Sequence, residues 1–287
     1  MSSYKHTTRV DLFPLPLAGD WCASLGAEIC AMELSLASGT RKIVVPDSSR
    51  LRHHSRPRRD QLDSSIHFLW DRSSDEAVLR PFADMFSPGR SLLESQILSE
   101  HFADFSQAFK SRSAISFLEL VLETAPLISN LAQGFRTNDV YSSRDCNGYR
   151  KKFSNPYAII QRMEEIHRFV YQNVFRHPIF TAVVSAVAIT NCHPLMDGNG
   201  RLSRIVFNAI IRLCDLAKLY LPLYEIFWIS GCCYELNVRR AEIFDDWKPL
   251  FLYFKNAVRL LFEGDIFNES NSLDTVLRIN PFGGMTF

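Results

Sequence analysis

No stretch of this chain stays apolar over the roughly 20 residues that span a bilayer. The most apolar run, Ile179 to Thr190, is far shorter, so no membrane-spanning helix is expected. The opening Met1-Ser2-Ser3-Tyr4-Lys5-His6-Thr7-Thr8-Arg9 has no apolar core behind its charges, which argues against a secretory signal peptide. Net charge is nearly absent as well: 32 Lys and Arg against 31 Asp and Glu leave +1, and nothing global pulls the chain toward nucleic acid. There is no Cys-x-x-Cys pair. The seven cysteines, at 22, 30, 146, 192, 214, 232 and 233, have no histidine at metal-binding spacing and read as reduced small hydrophobes of a cytosol. Cys192 adjoins His193, but nothing in the sequence lowers its pKa, so it is not read as a nucleophile. A G-x-x-x-x-G-K-[ST] phosphate loop is missing. Gly198 and Gly200 are followed by Ser203 where a dinucleotide fingerprint needs glycine, which excludes that class too.

What is present is an ordinary globular composition, 47% hydrophobic and 22% charged over 287 residues, enough for one large domain with or without an appendage. Residues 1–90 are irregular in pattern and contain the basic run Arg52-His53-His54-Ser55-Arg56-Pro57-Arg58-Arg59. Pro57 interrupts the run and no aromatic residues interleave with it, so it reads as a solvated loop rather than a nucleic-acid patch. From about Ser91 a helical period takes over. Leu93, Ile97, Leu98, Phe102, Phe105 and Phe109 predict one helix, and Ile115 to Leu122 predict a second that Pro126 bends or ends. A polar stretch from Thr137 to Asn155 follows. Asn155-Pro156 then starts a helix with a stripe of Ile159, Met163, Ile166, Val170 and Val174.

His177-Pro178 opens the next helix, which is apolar on all sides and belongs at the centre of a bundle. Further helices are predicted over 223–234 and from Asp246, a candidate cap, through 262. Residues 265–287 read as a loosely packed tail. The fold class is mainly α: a helical bundle over 91–264 with an irregular region before it.

The chemistry is concentrated in His193-Pro194-Leu195-Met196-Asp197-Gly198-Asn199-Gly200-Arg201-Leu202-Ser203-Arg204. Its glycines and Asn199 tolerate the backbone angles that turn successive N–H groups inward, making a nest for phosphate oxygens. Arg201 then enters a helix whose apolar face is Leu202, Ile205, Val206, Ala209, Ile210, Leu213 and Leu216, which leaves Arg201 and Arg204 together on another face. The loop thus empties onto a helix N-terminus, where unpaired N–H donors and a partial positive charge favour an anion. A capped turn with a satisfied histidine explains Asp-Gly-Asn-Gly, but not two arginines one turn apart beside it.

These residues resemble the Fic family, whose motif reads His-Pro-Phe, a variable residue, Asp or Glu, Gly-Asn-Gly-Arg, two variable residues and Arg. The chain departs once, with Leu195 in place of Phe, and keeps an apolar anchor there. The resemblance covers about residues 91 to 262 and is strongest from 148 to 216. It implies a Fic-like bundle with a short flap hairpin before the motif helices, at Gly148-Tyr149-Arg150 and on to about Asn155.

The activity implied is that of a protein nucleotidyltransferase of the AMPylating type. It moves a nucleoside monophosphate, AMP from ATP in the first instance, to a Ser, Thr or Tyr hydroxyl of a target protein. UTP, GTP or CDP-choline as donor, and a module that binds nucleotide without catalysis, are the alternatives. On this reading His193 is the base and Asp197 the Mg²⁺ ligand. Gly198, Asn199 and Gly200 cradle the phosphates, and Arg201 and Arg204 hold the β- and γ-phosphates. Family members that phosphorylate instead carry lysine at the position of Gly200, so glycine favours a pocket open to the whole triphosphate. Many members are held off by a helix bearing Ser or Thr, three variable residues, Glu, then Gly or Asn, whose Glu engages the second motif arginine. The nearest form here, Arg259-Leu-Leu-Phe-Glu263-Gly264, lacks the leading Ser or Thr and reads as a capped helix end. No internal inhibitory segment of that form is expected, which leaves control by a separate inhibitory protein or none. The working compartment would be a cytosol, its own or, for an exported effector or toxin, that of another cell.

Overall fold

The computed structural model describes residues 7–9, 12–38, 90–142, 150–217, 220–229 and 233–262. The basic run, Gly148-Tyr149, Glu263-Gly264 and the C-terminal tail lie outside the described residues. The molecule is mainly helical, as the periodicity predicts. It divides into two compact units, residues 1–24 with 93–216, and residues 25–92 with 217–287.

The first unit holds strand β1 (Thr7–Arg9) and helices α1 (Ala18–Ser24), α3 (Arg90–Lys110) and α4 (Ile115–Ile128). It also holds strand β2 (Arg150–Lys152) and helices α5 (Ile159–Asn173), α6 (Pro178–Cys192) and α7 (Asn199–Leu213). Helix α6 is its axis: Ile179 through Ile189 are all buried, and α6 packs most extensively on α7 and α5. Pro178 sits at its first turn, where a missing N–H leaves no bond unmade. Helix α5 is amphipathic, burying Ile159, Met163, Ile166 and Val170. Asn155 accepts from Tyr157 N at 3.0 Å, and a 3₁₀ turn at Pro156–Ala158 precedes α5. Between α3, α4 and α5, the rings of Phe105, Phe109, Phe117 and His167 follow one another at 5.7 to 5.9 Å.

Helix α4 runs on through Pro126 to Ile128 instead of stopping before the proline. Pro126 lies in the last turn on an exposed face, so the carbonyl it leaves without a donor, that of exposed Leu122, is open to water. The continuation matters because it delivers Ile128 and Ser129 to the motif loop. Of the expected flap, the part from Arg150 onward is described: β2 pairs antiparallel with residues 140–142 through Ser142 N→Lys151 O and Phe153 N→Val140 O. On the other edge of β2 lies β1, parallel, with Thr8 opposite Lys151.

The second unit holds α2 (Gly26–Ser38), α8 (Leu223–Ile229), α9 (Cys233–Phe244) and α10 (Lys248–Phe262). Helix α10 packs on α2 and α9, and Phe227, Tyr234, Tyr253 and Phe254 form an aromatic cluster. Asp246, a candidate cap, gives its carboxylate to Arg240 Nε and Nη2 at 3.0 and 2.5 Å. Helices α1 and α2 fall in a stretch whose pattern reads as irregular, because apolar residues are spread around α2 without a clean stripe.

Candidate active site

Helix α6 ends because Pro194 cannot continue it and His193 turns left-handed, at φ 54° and ψ 59°. That conformation is uncommon for a residue with a side chain and needs support from its surroundings. Arg136 provides it. Its Nε donates to His193 O at 2.6 Å and its Nη2 to Cys192 O at 3.3 Å, placing a cation on the carbonyl end of the helix. The result is that the imidazole projects from a fixed corner instead of a frayed helix end.

His193 Nδ1 lies 3.4 Å from Thr190 O. A carbonyl only accepts, so the contact favours the tautomer with the proton on Nδ1 and leaves Nε2 as a base. Phe153, on the way out of the flap, stacks on the imidazole with centroids 3.8 Å apart and planes at 20°. Burial pushes the His193 pKa down from 6.5 to about 4. The Thr190 carbonyl and Asp197 oppose the shift, and the charges of Arg136 and Lys151 reinforce it. The ring is therefore uncharged at neutral pH, the state a proton acceptor requires.

Four residues on, Asp197 Oδ2 accepts from Ser129 Oγ at 2.6 Å and from Arg201 Nη2 at 2.9 Å. Arg201 Nη1 also donates to Ile128 O. The end of α4 thus braces both the carboxylate and the first motif arginine. Asp197 remains 46% exposed at its side chain, so its carboxylate is accessible from outside. Among the described residues no group of three or more His, Cys, Asp or Glu could hold a metal ion. A metal here would have one protein carboxylate and take its other ligands from substrate and water, which is how Mg²⁺ commonly binds beside phosphates.

Gly198 has φ 86°, and a Cβ there would lie 2.5 Å from Ile128 Cγ2, so only glycine fits. Asn199 is buried and pins the loop with its side chain: Oδ1 accepts from Leu195 N and Nδ2 donates to Leu195 O, both at 2.8 Å. What remains for an anion at Asn199, Gly200 and Arg201 is the backbone, since the N–H groups of a helix's first turn have no intrahelical acceptor. At Gly200 a Cβ would approach Arg204 Nη1 to 3.3 Å, so glycine also leaves room for the second arginine.

Arg204 is buried. It is engaged from within the chain: its Nε donates to Glu94 Oε2 at 3.0 Å and its Nη2 to Glu94 Oε1 at 2.5 Å. Glu94 is fully buried, in the first turns of α3. The surrounding Arg90-Ser91-Leu92-Leu93-Glu94-Ser95 has neither Ser or Thr four residues ahead of the glutamate nor Gly or Asn after it, so the usual pattern misses it. A signal was available in the period. Glu94 stands three and four residues before Ile97 and Leu98, on the buried face of α3, where a carboxylate needs a partner.

All the loop residues predicted from the sequence are thus brought together: His193, Asp197, Gly198, Asn199, Gly200, Arg201 and Arg204. Ser129, Arg136, Phe153 and Glu94 are additions from the structure. Cys192 is fully buried, consistent with a structural role.

No curated protein matches the chain. Two solved structures similar to it are a fragment of Fic-1 from C. elegans, residues 134–508, at 17% identity and TM-score 0.47, and a single-substitution variant of that fragment at 16% and 0.48. Each covers 90% of this chain, which in turn covers 76% and 75% of them. The model of the Fic/DOC family matches residues 118–211. That segment carries His193, the whole motif loop, Ser129, Arg136 and Phe153, and it is a Fic/DOC domain.

Proposed function

We propose that the chain transfers a nucleoside monophosphate, AMP from ATP in the first instance, to a hydroxyl side chain of a target protein and releases pyrophosphate. One juxtaposition carries this reading. An uncharged imidazole stands at the mouth of a loop that opens on the N-terminus of α7, and two arginines lie in the first two turns of that helix.

The target oxygen attacks the α-phosphorus while His193 Nε2 takes its proton. The bond from that phosphorus to the α,β-bridging oxygen breaks, and the electron pair leaves with pyrophosphate. Backbone N–H groups of Asn199, Gly200 and Arg201 face the phosphate oxygens, where the helix dipole adds to their effect. Arg201 and Arg204 serve as charge-assisted donors to the β- and γ-phosphates. Asp197 is the residue that would hold Mg²⁺, which when bound offsets charge on the leaving group. None of these residues reads the base, so the donor is decided by experiment.

On this reading Glu94 is an internal brake. It holds Arg204 by a fork where a γ-phosphate would otherwise bind, and no separate protein is needed to keep that arginine engaged. Incubation of the Glu94→Gly protein with cell lysate, Mg²⁺ and labelled ATP, UTP, GTP or CDP-choline tests the assignment. Label should appear on protein from at least one donor and vanish when His193→Ala is added. Nucleotide binding with no histidine-dependent label from any donor would overturn the transferase reading in favour of a binding module.

A further inference from the structure

The base and the flap belong to segments far apart in the sequence, yet one buried side chain holds both. We propose that Arg136 is a positioning residue that clasps the flap to His193, so that the base and the hairpin beside it keep one geometry. The proposal rests on the reading of His193 as the transfer base.

Arg136 is 3% exposed. Its guanidinium reaches four carbonyls on three segments. Nε and Nη2 take His193 O and Cys192 O at the end of α6. Nη1 takes Asn138 O at 2.7 Å where the chain enters the flap, and Nη2 takes Ser154 O at 2.5 Å where it leaves. All four hydrogen-bond acceptors are neutral carbonyls, and the nearby charge of Asp139 adds to their hold on the cation. The backbone repeats the link, with Arg136 N donating to Pro194 O at 2.9 Å and Phe135 bridged antiparallel to Leu195.

A closed circuit follows. From Arg136 one path runs through His193 O to the imidazole. The other runs through Ser154 O to its neighbour Phe153, whose ring lies on that same imidazole. A hinge at either end of the flap would have to break a bond to Arg136, and a shift of His193 would have to slide it under Phe153. Five N–H donors in a planar fork suit this junction; a lysine ammonium, with three tetrahedral donors, does not span it.

A simple helix cap would make a different prediction, since its loss lowers stability without singling out the chemical step. The test uses Arg136→Lys, Phe153→Leu and the double variant, each in the full chain carrying Glu94→Gly. With saturating donor and target, Arg136→Lys should lower kcat on the order of 100-fold, the scale of a misplacement of about 1 Å. Its Kd for the triphosphate should stay within about twofold, because the phosphate-binding groups are untouched. Phe153→Leu should also lower kcat, and the double variant should fall less than the product of the two, because both act through one geometry. An unchanged kcat in folded Arg136→Lys would overturn the proposal, as would strictly multiplicative losses. Hydrogen exchange separates this from failure of the transferase reading. If no donor labels anything, the amides of 150–154 and those of His193 and Leu195 should still lose protection together in Arg136→Lys, and loss at only one of the two sets would overturn the clasp.

Discussion

Glu94 meets Arg204 with both carboxylate oxygens, and neither side chain is more than 9% exposed. A buried pair of this kind is kept by mutual neutralisation: removing one partner strands the other charge and typically costs about 3–5 kcal/mol. Glu94→Gly should therefore lower the melting temperature. It should also free Arg204, so triphosphate binding should tighten about tenfold or more while monophosphate binding stays nearly constant. ATP should then restore much of the lost stability by linkage. Calorimetric titration and a melting curve with and without ATP check both halves. A triphosphate affinity unchanged by the substitution would end the idea that Glu94 competes with nucleotide.

That pair also shows what a linear reading reaches. The motif loop was legible because its chemistry is local: acid, base, glycines and arginines fall within one loop and the first turns of one helix. Helices α5 and α6 were legible because a proline at the first turn and a buried stripe are likewise short-range signals. Glu94 lies 110 positions from its arginine, Ser129 lies 68 from Asp197, and Arg136 lies 57 from His193. No spacing rule links such residues, because the fold alone brings them together. The single cue that survives in sequence is a charge on an apolar stripe, as at Glu94. The two-unit division was not visible for a related reason: residues 1–24 join 93–216, and 25–92 join 217–287, across the order of the chain.

The two glycines of the loop should respond differently to alanine. At Gly198, φ 86° and a Cβ 2.5 Å from Ile128 Cγ2 make the change strained and crowded at once. Gly198→Ala should cost about 1–3 kcal/mol and displace Asp197, its neighbour. At Gly200 the nearest atom is Arg204 Nη1, the end of a flexible side chain, at 3.3 Å. Gly200→Ala should leave the melting temperature within a degree or two and weaken triphosphate binding a few-fold. Equal destabilisation by the two changes would contradict the geometry.

Ser129 braces Asp197, the residue proposed to hold Mg²⁺. Its Oγ donates to Asp197 Oδ2 at 2.6 Å, the same oxygen that accepts from Arg201. Ser129→Ala should cost about 1 kcal/mol of stability, the usual net worth of one such bond. Its effect on activity should be specific: the Mg²⁺ concentration for half-maximal labelling should rise several-fold, with the rate recovered at saturating Mg²⁺. A lower rate that no Mg²⁺ concentration restores would place the role of Ser129 elsewhere.

The last expectation concerns pH. His193 has its pKa pushed down from 6.5 to about 4, first by burial and then by Arg136 and Lys151, with the Thr190 carbonyl and Asp197 opposing. Between those two pH values the unfolded chain binds a proton at this residue and the folded chain does not. Stability therefore rises with pH through that window, is complete above about 6.5, and is lost as the pH falls toward 4. His167 is shifted in the same direction by burial and adds to the same slope. The contribution of His193 is therefore the difference between the wild type and His193→Ala, measured as denaturant stability at several pH values from 4 to 8. Activity should follow the protonation state directly, since only the uncharged ring accepts the target's proton. In the Glu94→Gly protein the acid limb of kcat/KM for the target should lie well below pH 6.5, and Lys151→Met should move it upward by removing a neighbouring positive charge. An acid limb at 6.5 that Lys151→Met leaves in place would mean that His193 stands in water and not under Phe153.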